Sequence, residues 1–197
     1  FKGPRSSHPG LIADHKGQLW AYWEGLNFYP SPNDHQNHIY IQKLLPQKGK
    51  LIQLTTGSYR HALPKVQALA DTLIICYEKA PAGAKFQSQI ACKMLNGAKE
   101  MIVSSGPFDR RPNVSTFKNM WAVAFDSWIK QTPHNKKMDP DYDVNLVIYE
   151  GQKKTQKIIV DNGPGIQGAP FIQYNHKGEL FIVYHSTNKH PIVKFWE

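Results

Sequence analysis

The sequence predicts an all-β fold, a β-propeller of four-stranded blades, on three observations. Short runs rich in β-branched and aromatic residues recur along the chain with no helical periodicity. A glycine turn, a stretch of polar and cationic residues and an anchor proline return in order at "KGPRSSHPGLI", "TTGSYRHALPKV", "SSGPFDRRPNVS" and "DNGPGIQGAPFI". The anchors, Pro9, Pro64, Pro112 and Pro170, lie about 50 residues apart, a spacing in the range of propeller blades. Finally, the runs are apolar on both alternating faces, with Leu19, Ala21 and Trp23 on one and Trp20 and Tyr22 on the other, as in a sheet covered on both sides. A β-sandwich also contains many short strands, but it would not repeat these elements four times in order.

Each unit reads strand by strand, over residues 9–57, 64–106, 112–163 and 170–197. The first gives "GLIAD", "QLWAYWE", "HIYIQKLL" and "KLIQLTT"; the second "KVQALA", "TLIICYE", "SQIACKML" and "EMIVSS". The third gives "NVSTF", "MWAVAFD", "VNLVIYE" and "QKIIVDN", and the fourth "FIQYN", "ELFIVYH" and "PIVKFWE". The second strands share an ending, an aromatic and then a polar residue: Trp23-Glu24, Tyr77-Glu78, Phe125-Asp126 and Tyr184-His185. About three and a half blades are expected, as part of a larger or composite propeller that a partner chain or further segment completes.

Lys and Arg number 24 against 15 Asp and Glu, a formal charge of +9 that favours polyanionic partners. The lysines are scattered and form no basic stripe interleaved with aromatics, so no specific nucleic-acid partner is expected. No apolar run approaches the roughly 18 residues of a membrane span, and nothing at the N-terminus reads as a signal peptide. Cys76 and Cys92 fall on neighbouring antiparallel strands, where a bridge is geometrically demanding. Buried free thiols are the expectation. The nine histidines lack metal-ligand spacing. "DPDYD", residues 139–143, lacks the glycine and terminal glutamate of a calcium loop. Neither a metal nor a cofactor is expected.

All four arginines, Arg5, Arg60, Arg110 and Arg111, fall just before an anchor proline, with His8 and His61 in the same windows. In a propeller this segment crosses the face where the channel opens. The second strand returns there with Glu24, Glu78, Asp126 and His185, so cations face a mostly acidic ring. One reading is an inter-blade ion-pair network, since guanidinium holds carboxylate bidentately. The other is a site for an anionic glycan or similar ligand. The cluster Tyr59, Arg60 and His61 supplies the residue types of a polysaccharide lyase, which needs a cation on the uronate carboxylate, a base and an acid. A glycoside hydrolase would instead draw two carboxylates from the acid ring. Phe28, Tyr29 and Trp128 lie in long loops on the same face and are candidates for sugar stacking. A protein-interaction scaffold is the third class left open.

The segments "SHPGLIADHKGQLWAYWE" and "GAPFIQYNHKGELFIVYH", and "WAVAFDSW" followed by "DYDVNL", resemble bacterial TolB-like and sialidase-like (BNR-type) propeller repeats. The sialidase Asp-box runs S-x-D-x-G-x-T-W between third and fourth strands, whereas "DHKG" and "NHKG" stand between first and second. The resemblance covers essentially the whole chain. It implies a propeller in a periplasmic or extracellular setting, and its activity class spans hydrolases, lyases and binding modules.

Overall fold

The computed structural model describes residues 6–27, 36–84, 87–129, 141–163, 165–187 and 189–196. Among these there are fifteen strands and no helix. They form four antiparallel sheets in chain order: β1 (Ser6–Ala13), β2 (Leu19–Asn27), β3 (Gln36–Leu45) and β4 (Leu51–Gln53); β5 (Tyr59–Leu69), β6 (Thr72–Pro81), β7 (Gln89–Met94) and β8 (Glu100–Ile102); β9 (Asp109–Phe117), β10 (Met120–Ile129), β11 (Asp141–Glu150) and β12 (Lys153–Asp161); and β13 (Gln167–Tyr174), β14 (Leu180–Ser186) and β15 (Lys189–Trp196). Within each sheet every strand pairs with its sequence neighbour, the connectivity of a propeller blade.

Alternation along the strands sends side chains to both sheet faces, and each interface between successive sheets has its own core. Ile39, Ile41, Val66, Leu73, Ile75 and Tyr77 fill the first. Ile74, Cys76, Ile90, Trp121, Val123 and Phe125 fill the second. Ala122, Leu146, Ile172, Leu180, Ile182 and Tyr184 fill the third. Each large side chain buried this way contributes roughly 1.5–3 kcal/mol, so the stack is held chiefly by these apolar seams. Trp121 also stacks on Tyr149 at 4.1 Å between ring centroids and donates its indole N–H to the Gly151 carbonyl.

The repeated proline has a different place from the one the sequence reading gives it. Each innermost strand begins before its proline, at Ser6, Tyr59, Asp109 or Gln167, and the proline sits inside it. His8-Pro9 opposes Trp23, Leu63-Pro64 opposes Tyr77, Arg111-Pro112 opposes Phe125 and Ala169-Pro170 opposes Tyr184, two residues against one every time. These are four equivalent β-bulges, which an edge strand accepts because proline's missing N–H breaks no ladder bond there. The residue before proline is left-handed in all four, with φ of 50°, 52°, 51° and 49°.

The "DHKG" and "NHKG" stretches close the turns between first and second strands. Asp14 Oδ1 accepts the Lys16 and Gln18 N–H groups, and Asn175 Oδ1 accepts those of Lys177 and Glu179. Gly17 and Gly178 supply the positive φ that these turns require.

The cysteines depart from expectation. Cys76 and Cys92 are directly opposite across β6 and β7, with Cα atoms 4.1 Å apart, and they form a buried disulfide rather than two free thiols. Sequence spacing showed neighbouring strands but not that the two residues share a register. The disulfide closes a loop of 16 residues, which chain entropy equates with about 3 kcal/mol. Scanning calorimetry with and without a phosphine reductant should therefore show Tm lowered by about 6–12 °C on reduction. Thiol titration of the unfolded, unreduced protein should find no free thiol.

Candidate functional site

The bulges bring the polar ends of the second strands against the next sheet. With φ positive, the residue before proline turns its N–H out of its own ladder. The Leu63 N–H donates to Glu24 Oε2 at 2.9 Å, the Arg111 N–H to Glu78 Oε1 at 2.9 Å, and the Ala169 N–H to the Asp126 carboxylate. Each acid of one sheet therefore caps the bulge of the next. His185 holds the same place in the fourth sheet, opposite Gly168, and is exposed.

The three acids are engaged to different degrees. Glu24 is saturated: Oε1 accepts from the Ser7 hydroxyl and the Asn37 amide, and Oε2 takes the Leu63 N–H and lies 3.1 Å from His8 Nδ1. Asp126, fully buried, is held by the Arg111 guanidinium at 2.6–3.0 Å as well as by the Ala169 N–H. Glu78 is 3% exposed and accepts the Arg111 N–H at Oε1, with Arg110 Nε 3.8 Å from the same oxygen. Its Oε2 takes no hydrogen bond among the described residues. Burial raises the Glu78 carboxyl above the ordinary carboxylate range, against the opposing pull of the Arg111 amide, Arg110 and Arg60. Burial raises Asp126 as well, against Arg111.

Arg60 and Arg110 thus both act on Glu78, while Arg111 belongs to Asp126 of its own sheet. Gly168 makes room for that pair, because a Cβ there would meet the Arg111 guanidinium at 2.7 Å. A cavity of about 340 Å³ beside the pair is lined by Leu63, Lys65, Arg111, Pro112, Asn113 and Ala169, all from first strands.

Strand alternation separates the Tyr59, Arg60 and His61 cluster. Tyr59 and His61 share the face toward the first sheet, and Arg60 points to the other. His61 is 1% exposed, with Nδ1 3.1 Å from the Asn37 carbonyl and its ring edge-on to Tyr77. Desolvation lowers its pKa to about 4, with Glu100 opposing and His38 and Lys79 assisting. His38, whose ring centroid is 5.6 Å away, is also lowered by burial. Arg5, Phe28 and Tyr29 lie outside the described residues, as does the start of "DPDYD". Trp128 is half-buried at the end of β10. Among the described residues no group of three or more His, Cys, Asp or Glu could hold a metal ion, and no helix is long and apolar enough to cross a membrane. The bulge-capping role of the acids was missed from sequence; its trace was the near-constant offset, 14 or 15 residues, between each anchor proline and the acid of its own unit.

No protein-family model matches the chain, and no curated protein matches it in sequence. Solved structures do resemble its fold. An α-L-arabinanase from Penicillium chrysogenum, complexed with arabinobiose, superposes with a TM-score of 0.63 at 10% identity, covering 95% of this chain and 61% of that one. An α-L-arabinofuranosidase from Fusarium graminearum gives 0.61 at 14% identity, covering 94% and 60%. An exo-1,5-α-L-arabinanase from a bovine ruminal metagenomic library gives 0.52 at 10% identity, covering 98% and 79%. The chain is a β-propeller in the manner of these glycan-cleaving enzymes and spans about 60% of the length of the first two.

Two outcomes follow from the site's geometry. Asp126→Asn leaves the Arg111 guanidinium facing a neutral amide, and because that side chain is 38% exposed water offsets part of the loss. Urea unfolding should show destabilisation of about 2 kcal/mol. His61 is neutral when folded, so its stabilisation is complete above its ordinary value of 6.5 and is lost as pH falls toward 4. Between pH 7 and pH 4 wild type should lose about 3 kcal/mol that a His61→Gln variant does not.

Proposed function

We propose that the protein is a carbohydrate-active enzyme of glycoside hydrolase type, working at the channel mouth, with Glu78 as its proton donor. The unengaged Oε2 of Glu78 carries this reading. Glu24 and Asp126 have their oxygens occupied by structural bonds, whereas Glu78 combines a raised pKa with an oxygen that takes no hydrogen bond among the described residues, the combination a general acid needs to protonate a leaving glycosidic oxygen. The likeness to arabinanase and arabinofuranosidase propellers supports the reaction class. Arg60 and Arg110 add two positive charges around one carboxyl, which supports a glycan bearing an anionic group, such as a uronate, at the same mouth. The buried disulfide supports a periplasmic or extracellular setting. The TolB-like and sialidase-like resemblance rests largely on turn residues that serve the repeat itself, and it supports repeat architecture rather than chemistry. Leu11 and Phe171, 63% and 56% exposed on the open faces of the first and fourth sheets, support a further sheet seated against them.

The test is release of reducing ends from arabinan and from uronate-bearing glycans. Glu78→Gln should lower the rate at least about a hundredfold with Tm unchanged within a few degrees. Glycan binding in calorimetry without turnover, weakened in Arg60→Ala and Arg110→Ala, would instead make the mouth a binding site.

A further inference from the structure

Beside the mouth, on the side of the second sheet that faces the first, lies an open groove of about 440 Å³. It is lined by Tyr59, Lys79, Gln87, Gln89, Ile102 and Pro107. Tyr59 forms its inner end, next in sequence to Arg60, and Ile102 on the outermost strand forms the other. The groove therefore runs outward from the acid ring across the whole width of the sheet.

Its chemistry differs from that of the mouth. Lys79 is the cation in it, and the Glu100 carboxylate neutralises Lys79 directly while also accepting the Tyr77 hydroxyl at 2.7 Å. The ammonium also sits over the Tyr59 ring, 4.4 Å from its centroid, and fixes the ring in place. Tyr59 remains 41% exposed and Ile102 45% exposed, and the side chains of Gln87 and Gln89 are exposed as well. A held aromatic ring, two amides that both donate and accept, an apolar edge and, among the described lining residues, no uncompensated charge match a neutral polyhydroxylated ligand: C–H faces against the aromatic and aliphatic surface, hydroxyls on the amides.

We infer that this groove is a subsite for uncharged sugar residues, taking the part of a glycan that extends beyond the mouth. The inference rests on the carbohydrate reading above and adds chain-length preference to it.

Calorimetric titration with a disaccharide and a longer oligosaccharide of the same sugar, in arabinose and in uronate series, tests it. The longer ligand should bind about tenfold more tightly than the disaccharide. Tyr59→Ala and Gln89→Ala should each reduce that advantage severalfold and leave disaccharide affinity unchanged. Gln89 is a surface position, so its variant reports even if Tyr59→Ala perturbs folding. An unchanged ratio of long to short affinity in both variants overturns the groove and leaves the mouth reading standing. Failure of every saccharide to bind overturns the carbohydrate reading and this inference together.

Discussion

The hydrogen bond from a bulged backbone amide to the carboxylate of the preceding sheet is the constraint on which the rest depends. Apolar seams press the sheets together, but such contacts are non-directional and would tolerate sliding. The amide-to-carboxylate bond is directional and charge-assisted, and it fixes which residue of one first strand meets which residue of the preceding second strand. It explains two local costs. A left-handed backbone at Leu63, Arg111 and Ala169 is unfavourable in isolation, and so is burial of Glu24, Glu78 and Asp126. Each cost is offset by the other group.

The same constraint accounts for the division of labour among the acids. A carboxylate has more acceptor sites than one amide can use, and the remainder is treated differently in each sheet. Ser7, Asn37 and His8 complete Glu24, and Arg111 completes Asp126. Among the described residues Glu78 retains an oxygen without a hydrogen bond, because Arg111, in the next sheet, lends it only its backbone and commits its side chain to Asp126.

Much of this was legible in the sequence. The units, strand order and apolar cores follow from spacing and alternation, and the pairing of aromatic-acid endings with anchor prolines was visible as a repeat. Two things were hidden. Proline reads as a strand start because it cannot donate to a ladder, yet inside an edge strand at a bulge it interrupts nothing, so Ser6, Tyr59, Asp109 and Gln167 begin strands that seemed to start later. Register across a hairpin is equally invisible from composition, which concealed that Cys76 faces Cys92. The arginines left two readings open, ties between blades or a ligand site; Arg111 pairs within its own sheet, Arg110 reaches toward Glu78 across the seam, and the short tie between sheets is made by the backbone. Sequence patterns show side chains, whereas the deciding donor here is a main-chain group.

The ties also have a direction. Each of the first three units gives its acid forward to its successor, and each of the last three receives, at its own bulge, the acid of its predecessor. A unit copied or removed between two anchor prolines carries one acceptor and one donor with it, so the junctions on either side find matching partners without compensating substitutions. Growth or shrinkage of the array by recombination is thus compatible with the seam chemistry, and neighbouring units are free to diverge wherever the bulge and its acid are kept.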